Sequence, residues 1–236
     1  MAWNLHNGDC LDVIKTMDDE SIDLILTSPP YNLGNFKKGS FYDGKGKGEQ
    51  LEYDTHDDHM SECDYRQWQR NVLIECYRTL KPTGAIFYNH KPRITNGLVD
   101  DRKNLIPFGI RQEIVWDRCC MVNFSGGFYA PNTERIYIIA KPEWKPQKEY
   151  LGYGEVWRIP PETDNPHPAP FPKQLAKRVI LSASKEGDTV LDPFAGSGTT
   201  MLMAEENNRN SIGIEISEEY CKMIRKKLSE LQPCLF

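Results

Sequence analysis

One short segment, Ser28-Pro29-Pro30-Tyr31, combines residue types that could do chemistry directly after the apolar run 22–27. Consecutive prolines restrict the backbone, so the Ser28 hydroxyl and the Pro29 carbonyl can face one point beside the flat ring of Tyr31. Two acceptors on the hydrogens of an aromatic amino group would favour its pyramidal form, whose lone pair can attack a sulfonium methyl group. The structural alternative is a proline stop after a strand, with a core tyrosine.

A second segment of this kind is the turn Asp192-Pro193-Phe194-Ala195-Gly196-Ser197-Gly198, which separates an apolar run from a helical pattern. Its glycines let a ligand approach the backbone, and the helix start at Thr199 presents free N–H groups. Asp192 ends one predicted strand and Glu215 ends the next, where a carboxylate can accept both hydroxyls of a ribose. The turn therefore indicates a nucleoside-containing cofactor. It is not a phosphate-binding P-loop because no lysine follows Gly198, and a plain tight turn is the alternative.

The elements that position these segments alternate between short apolar runs and helical patterns, which predicts an α/β fold with a mainly parallel sheet. Further strands are expected at 84–90, 112–116, 135–140 and 211–215, and helices at 64–80, at 199–206 and from 217 onward. Residues 33–62 hold five glycines without a clear period and indicate a mobile loop. Residues 141–170 are rich in proline, glycine and charge, and they would serve as a short recognition insert, placed at 141–166, or as a linker.

Length and composition limit the protein classes. A chain of 236 residues fits one large domain, and its formal charge of −5 argues against non-specific coating of nucleic acid. No long apolar run or secretory amino terminus is present, so we expect a soluble cytoplasmic protein that does not enter a membrane. The seven cysteines form no CxxC pair and suggest reduced thiols. His56-Asp57-Asp58-His59 with Cys63 matches no zinc spacing, so no metal is expected.

Three segments together resemble a known family. Residues 27–32 are similar to the catalytic motif of DNA amino-methyltransferases, residues 191–200 to their cofactor motif, and residues 167–172 to the segment just before that motif. The catalytic motif comes first, which is the permuted order of the beta class. The resemblance implies one catalytic domain over residues 1–236 with a circularly permuted class I methyltransferase fold, a Rossmann-like sheet of seven mostly parallel strands. It also implies S-adenosylmethionine as cofactor and double-stranded DNA as substrate, with the target base flipped out of the duplex.

The resemblance also assigns roles to individual residues. The catalytic set is Ser28, Pro29, Pro30 and Tyr31. The cofactor-binding set is Asp9, Cys10, Phe171, Pro172, Asp192, Pro193, Phe194, Gly196, Gly198, Thr199 and Glu215. Asp9 could also cap the helix that follows it. Positive charge near the glycine-rich and recognition segments, and not the resemblance, gives the expected DNA contacts, which are Lys37, Lys38, Lys45, Lys47, Arg118 and Arg135.

Several alternatives stay open at this stage. Serine at position 28 is commoner in cytosine-N4 enzymes, which favours that base over adenine N6. Cytosine C5 methylation needs a cysteine nucleophile and is disfavoured, because the only Pro-Cys pair is Pro233-Cys234. A methyltransferase for RNA or protein amides and a non-catalytic nucleotide-binding module are the rivals. The recognition region is short, which suggests a homodimer, and the family suggests a cognate restriction endonuclease as a partner.

Overall fold

The computed structural model describes residues 2–32, 60–95, 98–119, 129, 131–162 and 171–231. The four lysines expected to contact DNA, at 37, 38, 45 and 47, lie outside these ranges. So do residues 163–170 and nearly all of the loop expected at 33–62. The last residues of that expected loop are the cap and start of a helix, because the Ser61 hydroxyl accepts a hydrogen bond from the Asp64 amide at 3.1 Å.

The described residues form ten strands and five α-helices. The strands are β1 Trp3–Asn7, β2 Ile22–Thr27, β3 Leu80–His90, β4 Arg93–Thr95, β5 Leu98–Asp100, β6 Gln112–Asp117, β7 Thr133–Ala140, β8 Val156–Arg158, β9 Thr189–Asp192 and β10 Asn210–Glu215. The helices are α1 Cys10–Lys15, α2 Glu62–Thr79, α3 Lys173–Ala183, α4 Thr199–Glu206 and α5 Glu218–Leu231. The α/β fold expected from the sequence is therefore present.

The main sheet has the strand order β1-β10-β9-β2-β3-β7-β6-β8, and β4 pairs with β5 in a separate ribbon. Strand β7 runs antiparallel to β3 and β6, and the other strands of the main sheet are parallel to one another. The prediction of seven strands was wrong, because the sheet has eight. The additional strand is β8, a short edge strand that lies within the expected recognition insert and pairs with β6. Its three residues include one buried tryptophan, which is too few to show the alternation of a strand.

Both faces of the central strands are buried, as parallel strands require. Along β3, Ala85 and Phe87 belong to the core cluster that contains residues of α3, α4 and α5. Ile86 and Tyr88 belong to the opposite cluster, which contains residues of α1 and α2. Helices therefore cover the sheet on both sides. Within the described ranges, no helix is long and apolar enough to cross a bilayer.

The sheet brings the chemically interesting segments to one edge. β1, β2, β3, β9 and β10 are parallel, so their carboxyl ends meet there, and β7 begins at the same edge because it is antiparallel. The register pairs His90 at the end of β3 with Arg135 near the start of β7. Strands β2 and β9 are neighbours, so Ser28 and Asp192 terminate adjacent strands.

Candidate active site

The glycine turn after β9 adopts a conformation that its sequence requires. Gly198 caps α4 with φ +80°, and a Cβ atom there would lie 2.8 Å from Cγ1 of Ile224 on α5. Gly196 has φ +50°, and its amide donates a hydrogen bond to Oε2 of Glu215 at 2.8 Å. Left-handed backbone and close contact with α5 both favour glycine here. The turn is therefore held against the end of β10 and joins two of the predicted cofactor residues.

Two carboxylates stand at the ends of the neighbouring strands β9 and β10. Asp192 accepts a hydrogen bond from the Phe194 amide at 3.1 Å, and burial raises the pKa of Asp192 to about 6. Glu215 accepts from the amides of Gly196 and Ser217, both at 2.8 Å, and burial raises its pKa as well. Backbone donors thus occupy one lone pair on each Glu215 oxygen and leave another on each for a diol. These carboxylate acceptors fit the two hydroxyls of the ribose of a nucleoside cofactor.

Asp9 and Cys10 follow β1, whose register places Asn7 opposite Glu215. The amide of Gly8 donates to the Glu215 carbonyl at 3.1 Å, so the start of α1 lies beside the turn that follows β10. Asp9 caps α1 by accepting from the Leu11 amide at 2.8 Å and remains exposed, which leaves it accessible to a ligand. Cys10 is buried in the core, and burial raises the pKa of its thiol, so its side chain packs.

The remaining residues predicted to bind cofactor pack around the same edge. Pro172 is the buried N-cap residue of α3, and Phe171 packs edge-to-face on Trp116 with ring centroids 6.0 Å apart. Phe194 packs edge-to-face on Trp68 of α2 at 5.6 Å. Pro193 is buried, and Thr199 begins α4 with its hydroxyl 3.3 Å from that of Ser197. Their roles in cofactor binding stay predictions.

The catalytic segment forms a polar cluster with two residues that sequence reasoning missed, Asn89 and Glu134. The Ser28 hydroxyl lies 2.9 Å from the Tyr31 hydroxyl, which donates to Oε2 of Glu134 at 3.1 Å. The side-chain amide of Asn89 reaches all three partners, at 3.3 Å from Ser28, 2.8 Å from Tyr31 and 2.8 Å from Glu134. Burial, followed by the charge of Glu134, raises the pKa of Tyr31 well above its usual range, so the phenol keeps its proton.

A second layer of side chains holds the backbone of the catalytic segment. The Tyr65 hydroxyl donates to the Pro30 carbonyl at 2.8 Å, and Arg93 donates to the carbonyls of Tyr31 and Asn32. The His90 ring stacks on Tyr31, with centroids 4.6 Å apart and planes 27° apart. Burial lowers the pKa of His90 to about 3, so the ring is neutral at physiological pH. The His90 ring therefore covers one face of Tyr31.

The residues that were missed carried a weak sequence signal. Asn89 and His90 interrupt an apolar strand at its carboxyl end, which is where α/β folds place functional groups. Glu134 lies at the start of an apolar strand of opposite direction, and its proximity to Ser28 depends on that direction. A single sequence without pairing information does not show it.

The two arginines expected to contact DNA are both engaged by carboxylates. Nη1 of Arg118 lies 3.2 Å from Oε1 of Glu134, and Nε of Arg135 lies 3.0 Å from Oε1 of Glu113. Arg118 therefore belongs to the polar cluster, and DNA contact by either arginine stays a prediction. Among the described residues, no three His, Cys, Asp or Glu side chains could hold a metal ion; residues 56–59 lie outside them.

The fold defines the class of protein, a class I methyltransferase. Along the chain, the predicted catalytic segment, residues 28–31, precedes the predicted cofactor turn, residues 192–198. The family model for N6- and N4-methylating DNA methylases matches residues 22–226. The chain belongs to this family.

Individual relatives agree with this assignment. The type II methyltransferase M.HpaI of Haemophilus parainfluenzae is 30% identical over 251 residues, which cover 97% of this chain and 74% of the relative. The DNA adenine methyltransferase YhdJ of Escherichia coli (strain K12) is 30% identical over 264 residues, covering 96% and 83%. The TTHA0409 protein of Thermus thermophilus, solved with S-adenosyl-L-methionine, has a TM-score of 0.70 at 26% identity and covers 99% and 96%. The expectations of a DNA amino-methyltransferase and of S-adenosylmethionine as methyl donor are confirmed.

Proposed function

We propose that this enzyme methylates the exocyclic amino nitrogen of a base that has been flipped out of duplex DNA. The observation that carries the proposal is that Ser28 directly follows β2, and Asp192 is the last residue of its parallel neighbour β9. An amino group held at Ser28 then faces a cofactor held at the turn after β9. Flipping is necessary because a paired base cannot bring its amino nitrogen to a buried strand end.

Each residue of the catalytic segment has a distinct role in this proposal. The Ser28 hydroxyl oxygen and the Pro29 carbonyl accept the two amino hydrogens, which leaves lone-pair density on nitrogen directed at the methyl group. The face of Tyr31 opposite His90 stacks on the base. When bound, S-adenosylmethionine would supply an electrophilic methyl group on its sulfonium sulfur, and breaking of the sulfur–methyl bond would leave the neutral thioether S-adenosylhomocysteine. The methylated nitrogen then releases one proton to solvent, so no general base is required.

Cofactor binding uses the groups around the turn after β9. Glu215 accepts the ribose hydroxyls with the lone pairs that its two backbone donors leave available. Gly196 keeps the approach to the backbone open, and Gly198 closes the turn against α5. Asp9 reaches the adenine ring from the start of α1. Phe171 and Pro172 line the methionine and adenosine pocket, as the sequence resemblance implies.

Two bases fit the geometry. Serine at position 28, which is commoner in cytosine-N4 enzymes, favours cytosine N4. The name of the E. coli relative, a DNA adenine methyltransferase, favours adenine N6. Both amino groups carry two hydrogens and adjoin a ring nitrogen that accepts hydrogen bonds. We retain cytosine N4 as the first candidate and adenine N6 as the second.

The wider assembly follows from the size of the recognition region. The segment 141–166 supplies base recognition together with Arg118 and Arg135. One short region cannot recognise a long DNA site, so a second copy of the chain contacts the rest of the site in a homodimer. A cognate restriction endonuclease is the partner expected of such an enzyme, and the cytoplasm is where its DNA substrate lies.

Nucleoside mass spectrometry of duplex DNA incubated with the protein and S-adenosylmethionine tests the proposal. We expect N4-methylcytosine, and a Tyr31→Ala variant, which loses stacking of about 1–3 kcal/mol, is the matched control with little product. Detection of N6-methyladenine alone would change the assigned target base from cytosine to adenine and leave the mechanism unchanged. The appearance of 5-methylcytosine, or no methylated nucleoside from a protein that S-adenosylhomocysteine stabilises, would overturn the mechanism.

A further inference from the structure

Glu134 is a buried carboxylate at the active-site edge that the transfer chemistry above does not use. The residue is 6% exposed and lies at the start of β7, beside the end of β3. Its Oε1 pairs with Arg118 at 3.2 Å, while Oε2 accepts from Tyr31 at 3.1 Å and from Asn89 at 2.8 Å. A buried charge is costly unless it is paired and hydrogen-bonded, so packing alone would be served better by a neutral side chain.

The carboxylate determines the direction of the hydrogen bonds around it. An ionised carboxylate only accepts, so Asn89 must turn its NH2 group toward Glu134, and Tyr31 must donate its single proton there. The Tyr31 oxygen is then an acceptor on its other side. Because the single Tyr31 proton is committed to Glu134, the 2.9 Å hydrogen bond between Ser28 and Tyr31 can run only from the Ser28 hydroxyl to the Tyr31 oxygen, which also accepts from Asn89 at 2.8 Å.

We propose that Glu134 is a positioning residue that makes Ser28 a hydrogen-bond acceptor toward the amino group of the target base. Serine by itself can donate or accept, and a serine that donated its proton to the base would leave an amino hydrogen unmatched. The two consecutive hydrogen bonds, from Ser28 to Tyr31 and from Tyr31 to Glu134, use the serine proton within the protein. A lone pair of Ser28 Oγ is then directed toward the base. A neutral serine thereby takes the acceptor role of a carboxylate. This inference rests on the proposed function.

The test measures methyl transfer in a single turnover, with enzyme in excess over a radiolabelled duplex and saturating S-adenosylmethionine. Glu134→Gln should lower the transfer rate constant about 10- to 100-fold, because the glutamine amide can donate to Tyr31. Tyr31 would then donate to Ser28, and both hydrogen bonds would run in the opposite direction. Tyr31→Phe removes the relaying hydroxyl, keeps the stacking ring and leaves the pair of Glu134 with Arg118 intact, so it should lower the rate by a similar factor. The double variant should be no slower than the slower single variant, because both changes break one unit.

Binding measurements separate this role from a structural one. The dissociation constant for S-adenosylhomocysteine should stay near wild type in both single variants. The dissociation constant for duplex DNA should stay near wild type in Tyr31→Phe, which keeps the ion pair between Glu134 and Arg118. Glu205→Gln is the matched control, because Glu205 also accepts from a serine hydroxyl, Ser211 at 3.2 Å, at the end of α4 and outside the site. It should transfer methyl groups at the wild-type rate.

The possible outcomes are distinguishable. Wild-type rates in both Tyr31→Phe and Glu134→Gln, with an active wild-type enzyme, would overturn the positioning role and leave the methyltransferase proposal intact. Multiplicative losses in the double variant would also overturn it, because they would mean independent roles. A wild-type enzyme that methylates no DNA would instead refute the proposed function itself.

Discussion

Gly198 offers a quantitative test of how the cofactor turn is built. An added Cβ atom would lie 2.8 Å from Cγ1 and 3.2 Å from Cγ2 of Ile224, and the backbone has φ +80°. The left-handed conformation costs a non-glycine residue about 1–2 kcal/mol, and overpacking a core contact costs about 1–3 kcal/mol. Gly198→Ala should therefore lower the unfolding free energy by about 2–5 kcal/mol.

Two other glycines separate the two contributions. Gly187 has φ +83° but no atom within 4 Å of an added Cβ, so its alanine variant should lose only the conformational part. Gly109 has neither the left-handed φ nor a neighbour within 4 Å and should change stability little. Urea unfolding of the three variants gives the comparison, and at about 2–4 °C per kcal/mol the Gly198 change should lower Tm by roughly 10 °C. If Gly198→Ala and Gly187→Ala lose the same free energy, the contact with Ile224 does not constrain the turn.

Two further predictions concern carboxylates that we expect at the cofactor site. Asp9→Ala should cost about 1 kcal/mol in urea unfolding because it removes the N-cap of α1, whereas Asp9→Asn should keep the cap; equal losses would contradict a capping role. The folded state raises the pKa of Asp192 from 3.8 to about 6, so it binds a proton more tightly than the unfolded chain does, and stability falls as pH rises from 4 to 7. Between pH 4 and pH 7, the unfolding free energy of Asp192→Asn should therefore rise by about 2–3 kcal/mol relative to that of wild type. A difference in unfolding free energy that does not change with pH would refute this prediction.

Local patterns in the sequence were sufficient for most of the elements. The strand before Ser28 and the βαβ unit around Gly196 are contiguous in the chain, so their apolar runs and turn residues predict them directly. The short strand β8 was missed because Trp157 is its only buried residue. Neither propensity nor period can detect an edge strand of three residues that exists through its pairing with β6.

The candidate site divides along the same line. Glu215 and Gly196 could be assigned from the turn chemistry of one βαβ unit, and their hydrogen bond is consistent with that assignment. Glu134 is 106 positions from Ser28 in the sequence and reaches its environment only because β7 is antiparallel to β3. Arg118 was expected to face DNA, but its partner Glu134 comes from the neighbouring strand β7. The contacts of Glu134 and Arg118 depend on the pairing of β7 with β3 and β6, which the sequence alone does not reveal.

The strand order also constrains when this protein can become active during its synthesis. Strands β1 and β2 are close in the chain, yet β10 and β9, which are made from residues 189–215, lie between them in the sheet. A nascent chain that ends before residue 189 lacks both of these intervening strands, so Asp9 and Ser28 have no common scaffold. Truncated translation products of that length can neither form the cofactor pocket nor modify DNA. Activity in the cell therefore reports only on chains that have been translated past β10.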